Sequence, residues 1–357
     1  MSMNKIARSL LSTVVAGGLA LALSAPSQAQ DKRIRWQMAS GYPSSMVQLG
    51  TLGVSISKKI ALVSGGNIEL RFNEPGALVP ALQLFDAVSS GAVDAGWSST
   101  GLYTGKDIAF AIYSAVPFGP EVGEFLAWMY YGGGLQLWDE LHAKYGIKAL
   151  PCGATPPEAS GWFRKEIKTL DDLKGLKMRF FGLGARAVQK LGVQTQLIAG
   201  GEIFQALQFG TIDATEFAMP AVDLKLGFHQ VAKHYYFPGW HQPATLYALF
   251  INEKRWQELS PTQKAQFEMA CGDNIREGIA EGEALQFAAM EELRQKGVTF
   301  HKWPPEFIAA FEKAWNEVAA EEAAKSPMFK KAWDSLTVFR AKYKVWRDLG
   351  YYTPPGK

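Results

Sequence analysis

Residues 85–95, FDAVSSGAVDA, and residues 204–214, FQALQFGTIDA, echo one another 119 positions apart. Each runs Phe, then Ala and an aliphatic residue, then Gly, an aliphatic and Asp-Ala. The apolar positions before the glycine suit a short helix, Gly91 and Gly210 suit its left-handed terminus, and the aliphatic residue that follows starts a strand. One αβ unit is thus read as occurring twice, with chance as the rival explanation for so short a match. Two similar α/β halves in an exported chain predict a clamshell that closes on a small molecule.

Upstream of the first copy, Ile34–Ala39 and Ile68–Phe72 read as strands with an apolar helical segment, Met46–Val63, between them. Strand, helix, strand predicts βαβ units and a largely parallel sheet. The Pro80–Ser89 helix and the Ala92–Trp97 strand follow, and 121–145 reads as helical although Gly132, Gly133 and Gly134 should break or loosen it. Near Leu150 the pattern restarts. Gly161–Phe163, Lys177–Phe181, Gln196–Ala199, Ile212–Thr215 and Leu246–Ile251 are strand candidates, with crossings between halves expected near Leu150–Pro157 and Pro238–Pro243.

Ser260-Pro261-Thr262-Gln263 is a helix start with Ser as cap, Pro in the first turn and Gln three residues on. A helix from there to Lys296 would run roughly 50 Å and could back both halves; Gly272, Gly278 and Gly282 leave two consecutive helices as the alternative. After Ser326-Pro327, Phe329, Trp333, Leu336, Phe339, Tyr343 and Trp346 recur at spacings of three and four. That aromatic face packs on its own domain by default, and on a second copy of the chain in the alternative reading. The resulting division is a leader (1–29), lobe I (30–151), lobe II (152–238), a crossover segment returning to lobe I (239–259), the spanning helix (260–297) and C-terminal helices that offer a dimerisation element (298–357).

Lys5 and Arg8, the apolar stretch Leu10–Leu23 and the small-x-small site Ser27-Gln28-Ala29 form a secretory signal, placing the mature chain in the periplasm from near Gln30. An uncleaved anchor is the bland alternative. Arg8 lacks a neighbouring arginine, which argues against twin-arginine export. The net charge of +3 falls to near neutral once the leader's two cations are removed, leaving no electrostatic footprint for nucleic acid. Cys152 and Cys271 are the two cysteines. Free thiols are the favoured expectation over a bridge, which an oxidising compartment would permit.

The chain has no Gly-x-Ser-x-Gly elbow, Walker loop, His-Glu-x-x-His or Cys-x-x-Cys, and its five histidines show no metal-ligand spacing. Residues 182–187 mimic a dinucleotide fingerprint, but Ala187 stands at the third glycine position and export unfolded would require the cofactor to be acquired outside the cytoplasm. Arg179 is more informative, because it lies where strand ends of open α/β sheets deliver side chains to a crevice, and a guanidinium matches a carboxylate. Pairing with a neighbouring acid is its structural alternative. Glu216 and Phe217 follow the second echo unit, and Glu158 and Gln242 lie in the two crossings. Carboxylates and amides are donors that hard cations select, although spacing alone does not group these residues.

The runs 161–167, 173–179, 199–203, 210–216 and 236–240, in this order, resemble the substrate-binding proteins of tripartite ATP-independent periplasmic (TRAP) transporters, in particular the subgroup binding 2-oxo acids such as pyruvate. The resemblance covers the whole mature chain. It implies a periplasmic-binding-protein clamshell with a helix spanning both lobes, no enzymatic activity, delivery of ligand to TRAP membrane subunits, and dimers formed by exchange of a C-terminal helix. It also implies that Arg179 grips the ligand carboxylate, and that a cation, sodium or calcium, is held by Glu158, Glu216, the backbone carbonyl of Phe217, and Gln242. The chain departs from the subgroup's pattern in having Glu158 for Gln, Gln242 for Glu and Phe217 for Trp; the first two exchanges offset in charge. Glu158, Glu216, Arg179 and a ligand carboxylate leave two negative charges, which a divalent ion neutralises, whereas the pyruvate-binding members point to sodium. Trp97 and Tyr103, after the first echo unit, are expected to face the ligand from lobe I, and Trp240 completes the ligand-binding candidates. The competing classes are an exported enzyme acting on a small carboxylic acid and an exported scaffold without a ligand.

Overall fold

In β1 (Ile34–Ser40) the side chains of Ile34, Trp36 and Met38 are buried while Arg35 and Gln37 face solvent, the period of two of a strand with a covered face. The computed structural model describes residues 31–352, so the leader lies outside the described residues. β1 is followed by α1 (Thr51–Val63), β2 (Ile68–Asn73), α2 (Leu84–Ser90) and β3 (Ala95–Ser99). Both β2 and β3 pair with β1 in parallel, the outcome of helical crossovers. α3 (Val122–Tyr131) and α4 (Gly134–Ala143) are separated at Gly132 and Gly133, the latter at φ +89, where the glycine run was expected to break the helix. β4 (Ile147–Thr155) then leads out of the first lobe.

The second lobe holds β5 (Gly161–Phe163), β6 (Lys177–Arg179), α5 (Gly182–Lys190), β7 (Gln194–Gln196), α6 (Ile203–Gln208), β8 (Ala214–Thr215), α7 (Pro220–Leu226) and β9 (His234–Phe237). β10 (Thr245–Asn252) returns to the first sheet, and α8 (Glu253–Gln257), α9 (Pro261–Gln295), β11 (Thr299–Lys302), α10 (Pro305–Lys325) and α11 (Pro327–Gly350) follow. The sheets run β2-β1-β3-β10-β4 and β11-β9-β5-β8-β6-β7. Taken from opposite ends they match strand for strand, β7-β6-β8-β5-β9 against β2-β1-β3-β10-β4, with β11 added at one edge. In each sheet the strand arriving from the other lobe, β10 or β5, is antiparallel to both its neighbours. The two echo segments are α2–β3 and α6–β8, with Gly91 at φ +81 and Gly210 at φ +73 closing their helices.

The first crossing begins later than Leu150, because residues 147–155 form β4. Pro151, which cannot donate to a ladder, is accommodated by a bulge: Tyr247 pairs with Gly153 and Ala248 with Pro151, leaving Cys152 unmatched. The expectation of free thiols is overturned. Cys152 is bonded to Cys271, tying β4 to α9.

α9 starts with a reciprocal capping box between Ser260 and Gln263 and continues unbroken through all three internal glycines. Two of them serve close approach instead of bending, while Gly272 faces open space: a Cβ on Gly278 would lie 2.5 Å from the Ala154 carbonyl oxygen, and one on Gly282 2.4 Å from Pro156 Cδ. α9 therefore lies directly on the first crossing while packing on α1 and β4 of one lobe and α7 of the other. α10 packs on α5, and α11 turns back onto α3 and α4 with Met328, Phe329, Ala332 and Leu336 buried. Among the described residues no helix is long and apolar enough to cross a membrane.

Candidate functional site

Arg179 ends β6 and pairs in register with Thr215 of β8, so the residue after Thr215, Glu216, is delivered to the same strand end. Both side chains are buried. Arg179 Nη1 donates to Glu216 Oε1 at 2.6 Å and to the Glu216 carbonyl at 2.9 Å, and Nε donates to the Ile198 carbonyl at 3.2 Å. The Phe181 N–H donates to the same Glu216 Oε1 at 2.5 Å. The guanidinium also lies 5.2 Å from the centre of the Phe217 ring and 5.9 Å from that of Phe181. Pairing with an acid and a place at the crevice, which the sequence offers as alternatives for Arg179, are both realised.

The two crossings meet at this pair. Gln242 Nε2 donates to Glu158 Oε1 at 2.6 Å and to Thr245 Oγ1 at 2.5 Å, and the Glu158 N–H donates to the Gln242 carbonyl at 3.3 Å. His241 Nε2 lies 3.4 Å from Glu216 Oε2. Among the described residues, three buried oxygens of this cluster have no hydrogen-bond partner, namely Glu158 Oε2, Glu216 Oε2 and Gln242 Oε1, nor do the two ring nitrogens of His241. Ligand atoms of Glu158, Glu216 and His241 lie within 4.8 Å of one another. Orphaned buried oxygens are costly unless something satisfies them, and two carboxylates with an amide form a donor set suited to a hard cation.

Burial, followed by the nearby Glu216 and Asp223 carboxylates, pushes the Glu158 carboxyl well above the usual range. Burial acts on Glu216 in the same sense, but Arg179, His241 and the Phe181 N–H together outweigh it and hold Glu216 below its ordinary value. Asp223 completes a buried acidic trio. Burial raises it to about 7, although Trp162 Nε1 and the Tyr235 hydroxyl each donate to its Oδ2 at 2.8 Å.

A cavity of about 30 Å³, room for a few waters, lies between the lobes beside Arg179 and Glu158. Phe181 and Phe217 wall it from lobe II, and Tyr42, Leu102 and Tyr247 from lobe I. It opens past Ala81, Leu82, Ala199 and Gly200 onto an outer groove of about 490 Å³. Trp97, Tyr103 and Trp240 do not line it. Trp97 donates to the Leu49 carbonyl at 2.6 Å, the Tyr103 hydroxyl donates to Ser98 Oγ at 3.2 Å, and Trp240 stacks on Phe311. Tyr42 and Tyr247 stand where Trp97 and Tyr103 were expected. Tyr42 lies two residues beyond the end of β1, near the strand end where the rule that singles out Arg179 also looks. His241 has no such signal beyond its place in the second crossing.

Two matched α/β lobes around a buried, charged cleft are the architecture of a solute-binding protein. The chain belongs to bacterial extracellular solute-binding protein family 7 (DctP), whose profile matches residues 38–326. It is 35% identical to the monocarboxylate 2-oxoacid-binding periplasmic protein of Nostoc sp., over 90% of this chain and 88% of that one. A TRAP transporter solute binding protein from Bordetella bronchiseptica, a mixed-occupancy dimer with copurified calcium and picolinate, matches at TM-score 0.86 and 36% identity, covering 89% of this chain and 95% of that one. One from Pseudoalteromonas atlantica with bound sodium and pyruvate matches at TM-score 0.85 and 32% identity, covering 88% and 96%. The resemblance read from the sequence motifs is therefore correct.

Proposed function

We propose that this chain is a periplasmic receptor that binds a small 2-oxo or 2-hydroxy monocarboxylate together with a cation and hands it to TRAP membrane subunits, without chemical turnover. The supporting observation is the convergence of three buried oxygens without a hydrogen-bond partner among the described residues, around a buried guanidinium and next to an interlobe cavity that Glu158 and Arg179 line. Arg179 pairs with the ligand carboxylate, its Nη2 making no hydrogen bond to the described residues. Glu158, Glu216 and Gln242 hold the cation with their side-chain oxygens, and Phe217 with its backbone carbonyl. The ion supplies positive charge that offsets two carboxylates and attracts the ligand's oxygens. Sodium and calcium both fit such donors, and relatives hold one or the other.

Tyr42 and Tyr247 close the cavity from lobe I, so the ligand is enclosed only when both lobes meet, and the closed form is what a membrane partner reads. The leader directs export. The outer end of α11 exposes Val345, Trp346 and Leu349, an apolar face on which a second copy packs.

Titration calorimetry of the mature chain with pyruvate, in sodium and in calcium, is expected to give stoichiometric, cation-dependent binding. Arg179→Ala should weaken it by at least about 100-fold, since removing one partner of a buried charge pair costs roughly 3–5 kcal/mol. Undiminished affinity in Arg179→Ala would overturn the assignment, and conversion of the acid to a product would favour the enzyme reading.

A further inference from the structure

Trp240 lies behind the site, and its surroundings lead to the C-terminal helix. Its ring stacks on Phe311 of α10 at 4.6 Å and 13°, and on Phe118 of the loop before α3 at 5.4 Å and 30°. The Trp240 carbonyl accepts the Phe118 N–H at 2.7 Å. His241 and Gln242 come next in the chain, so whatever fixes Trp240 also aims two groups of the polar cluster around Glu158 and Glu216.

Phe118 is one of two non-glycine residues with positive φ among the described residues, at +52. An L side chain stays in that region only where its surroundings hold it. Arg340 of α11 holds it. Nη1 donates to the Phe118 carbonyl at 2.9 Å, Nη2 to the Gly119 carbonyl at 3.2 Å and Nε to Glu124 Oε1 at 3.2 Å, with the Glu124 side chain 5% exposed. One rigid planar fork serves three acceptors at once, a geometry that an ammonium does not reproduce.

We propose that Arg340 is a positioning residue for the ligand site: it sets the Phe118–Gly119 turn, which clamps Trp240 and thereby orients His241 and Gln242. α11 then acts on the cleft without touching it. The link between its docking and ligand affinity is reciprocal. The affinity part of this inference rests on the function proposed above; the clamp itself does not.

The experiment is amide hydrogen exchange of the whole mature chain without any acid, comparing Arg340→Ala, Arg340→Lys and Lys331→Ala with the parent. Lys331 pairs with Glu140 and joins α11 to α4 at an exposed place, so its loss removes a charged contact of the same helix without touching the turn. Exchange over residues 239–244 should quicken about 2- to 30-fold in Arg340→Ala, the range of network couplings. Arg340→Lys, which retains a charge for Glu124 and covers the case in which the alanine variant does not fold, should shift the same way, and Lys331→Ala should match the parent. No change in either Arg340 variant, or an equal change in Lys331→Ala, overturns the clamp. Pyruvate affinity should fall by a similar factor in the Arg340 variants alone; unchanged affinity despite faster exchange would overturn the positioning role. Should the parent bind no acid, the receptor reading fails while the exchange result still judges the clamp.

Discussion

Trp97 and Glu216 occupy the same place in the two copies of the αβ unit. Counting from Asp94-Ala95 and Asp213-Ala214, each is the second residue after the shared alanine, and each side chain is fully buried. In lobe I the slot holds an indole that stacks on Tyr247 and donates to the Leu49 carbonyl. In lobe II it holds a carboxylate bound to Arg179 and the Phe181 N–H, with one oxygen to spare. The supporting helices match as well, since the third residue of each is a glycine with a neighbour pressed against it: Gly53 against Trp97, Gly184 against Phe180 and His241. A repeated backbone thus builds a buried slot at a strand end twice. The side chain placed there decides whether the slot serves packing or charge.

Glu216→Gln and Trp97→Phe test that division most strongly. Glu216→Gln removes a proposed cation ligand and leaves Arg179 without its acid, so affinity for pyruvate should fall by about 100-fold, near 3 kcal/mol. Trp97→Phe should keep affinity within about threefold while lowering stability by about 2 kcal/mol in urea, from the lost hydrogen bond and vacated volume. A large affinity loss in Trp97→Phe would break the comparison.

Asp223 sharpens it further, because the acidic trio belongs to one lobe and the first crossing. With a folded pKa of about 7 against an ordinary 3.8, the native state binds more protons than the unfolded chain between those values. Stability should therefore decline with rising pH across that window, by up to about 1.4 kcal/mol per unit, and level off above it. Asp223→Asn should flatten that slope in denaturation measured from pH 4 to 8. A slope equal to the parent's would assign the effect elsewhere.

The smallest expected effect tests the equivalence of the two backbones. Gly91→Ala and Gly210→Ala each place a Cβ at positive φ, with neighbours no closer than 3.5 Å and 3.3 Å. Each should cost about 1–2 kcal/mol. Costs differing by more than about 1 kcal/mol would mean the copies are not interchangeable turns.

Much of this was legible along the chain. The glycines of the echo units and the Ser260 capping box are local signals, because helix caps and turns are set by neighbours a few residues away. Arg179 and Glu216 were reached by the same means, as residues at predicted strand ends. β4 was not, since Pro151 argues against a strand until the bulge at Cys152 is seen. Trp97 and Tyr103 were assigned to the wrong surroundings, because a strand end shows that a side chain nears the crevice but not which way a large ring turns. Glu158 and Gln242 had been grouped by family resemblance and not by spacing.

The sequence by itself determined two βαβ halves, their turns, the caps of the long helix and a guanidinium poised at a strand end. All of these depend on φ, ψ preferences and periodicity within one or two turns of chain. Tertiary structure alone decided which distant groups meet: Glu158 with Gln242, Glu216 with His241, Cys152 with Cys271, and Arg340 with the Phe118 turn. Such contacts carry no local signature, because they follow from how two sheets and α9 pack, and packing is a property of the whole chain at once.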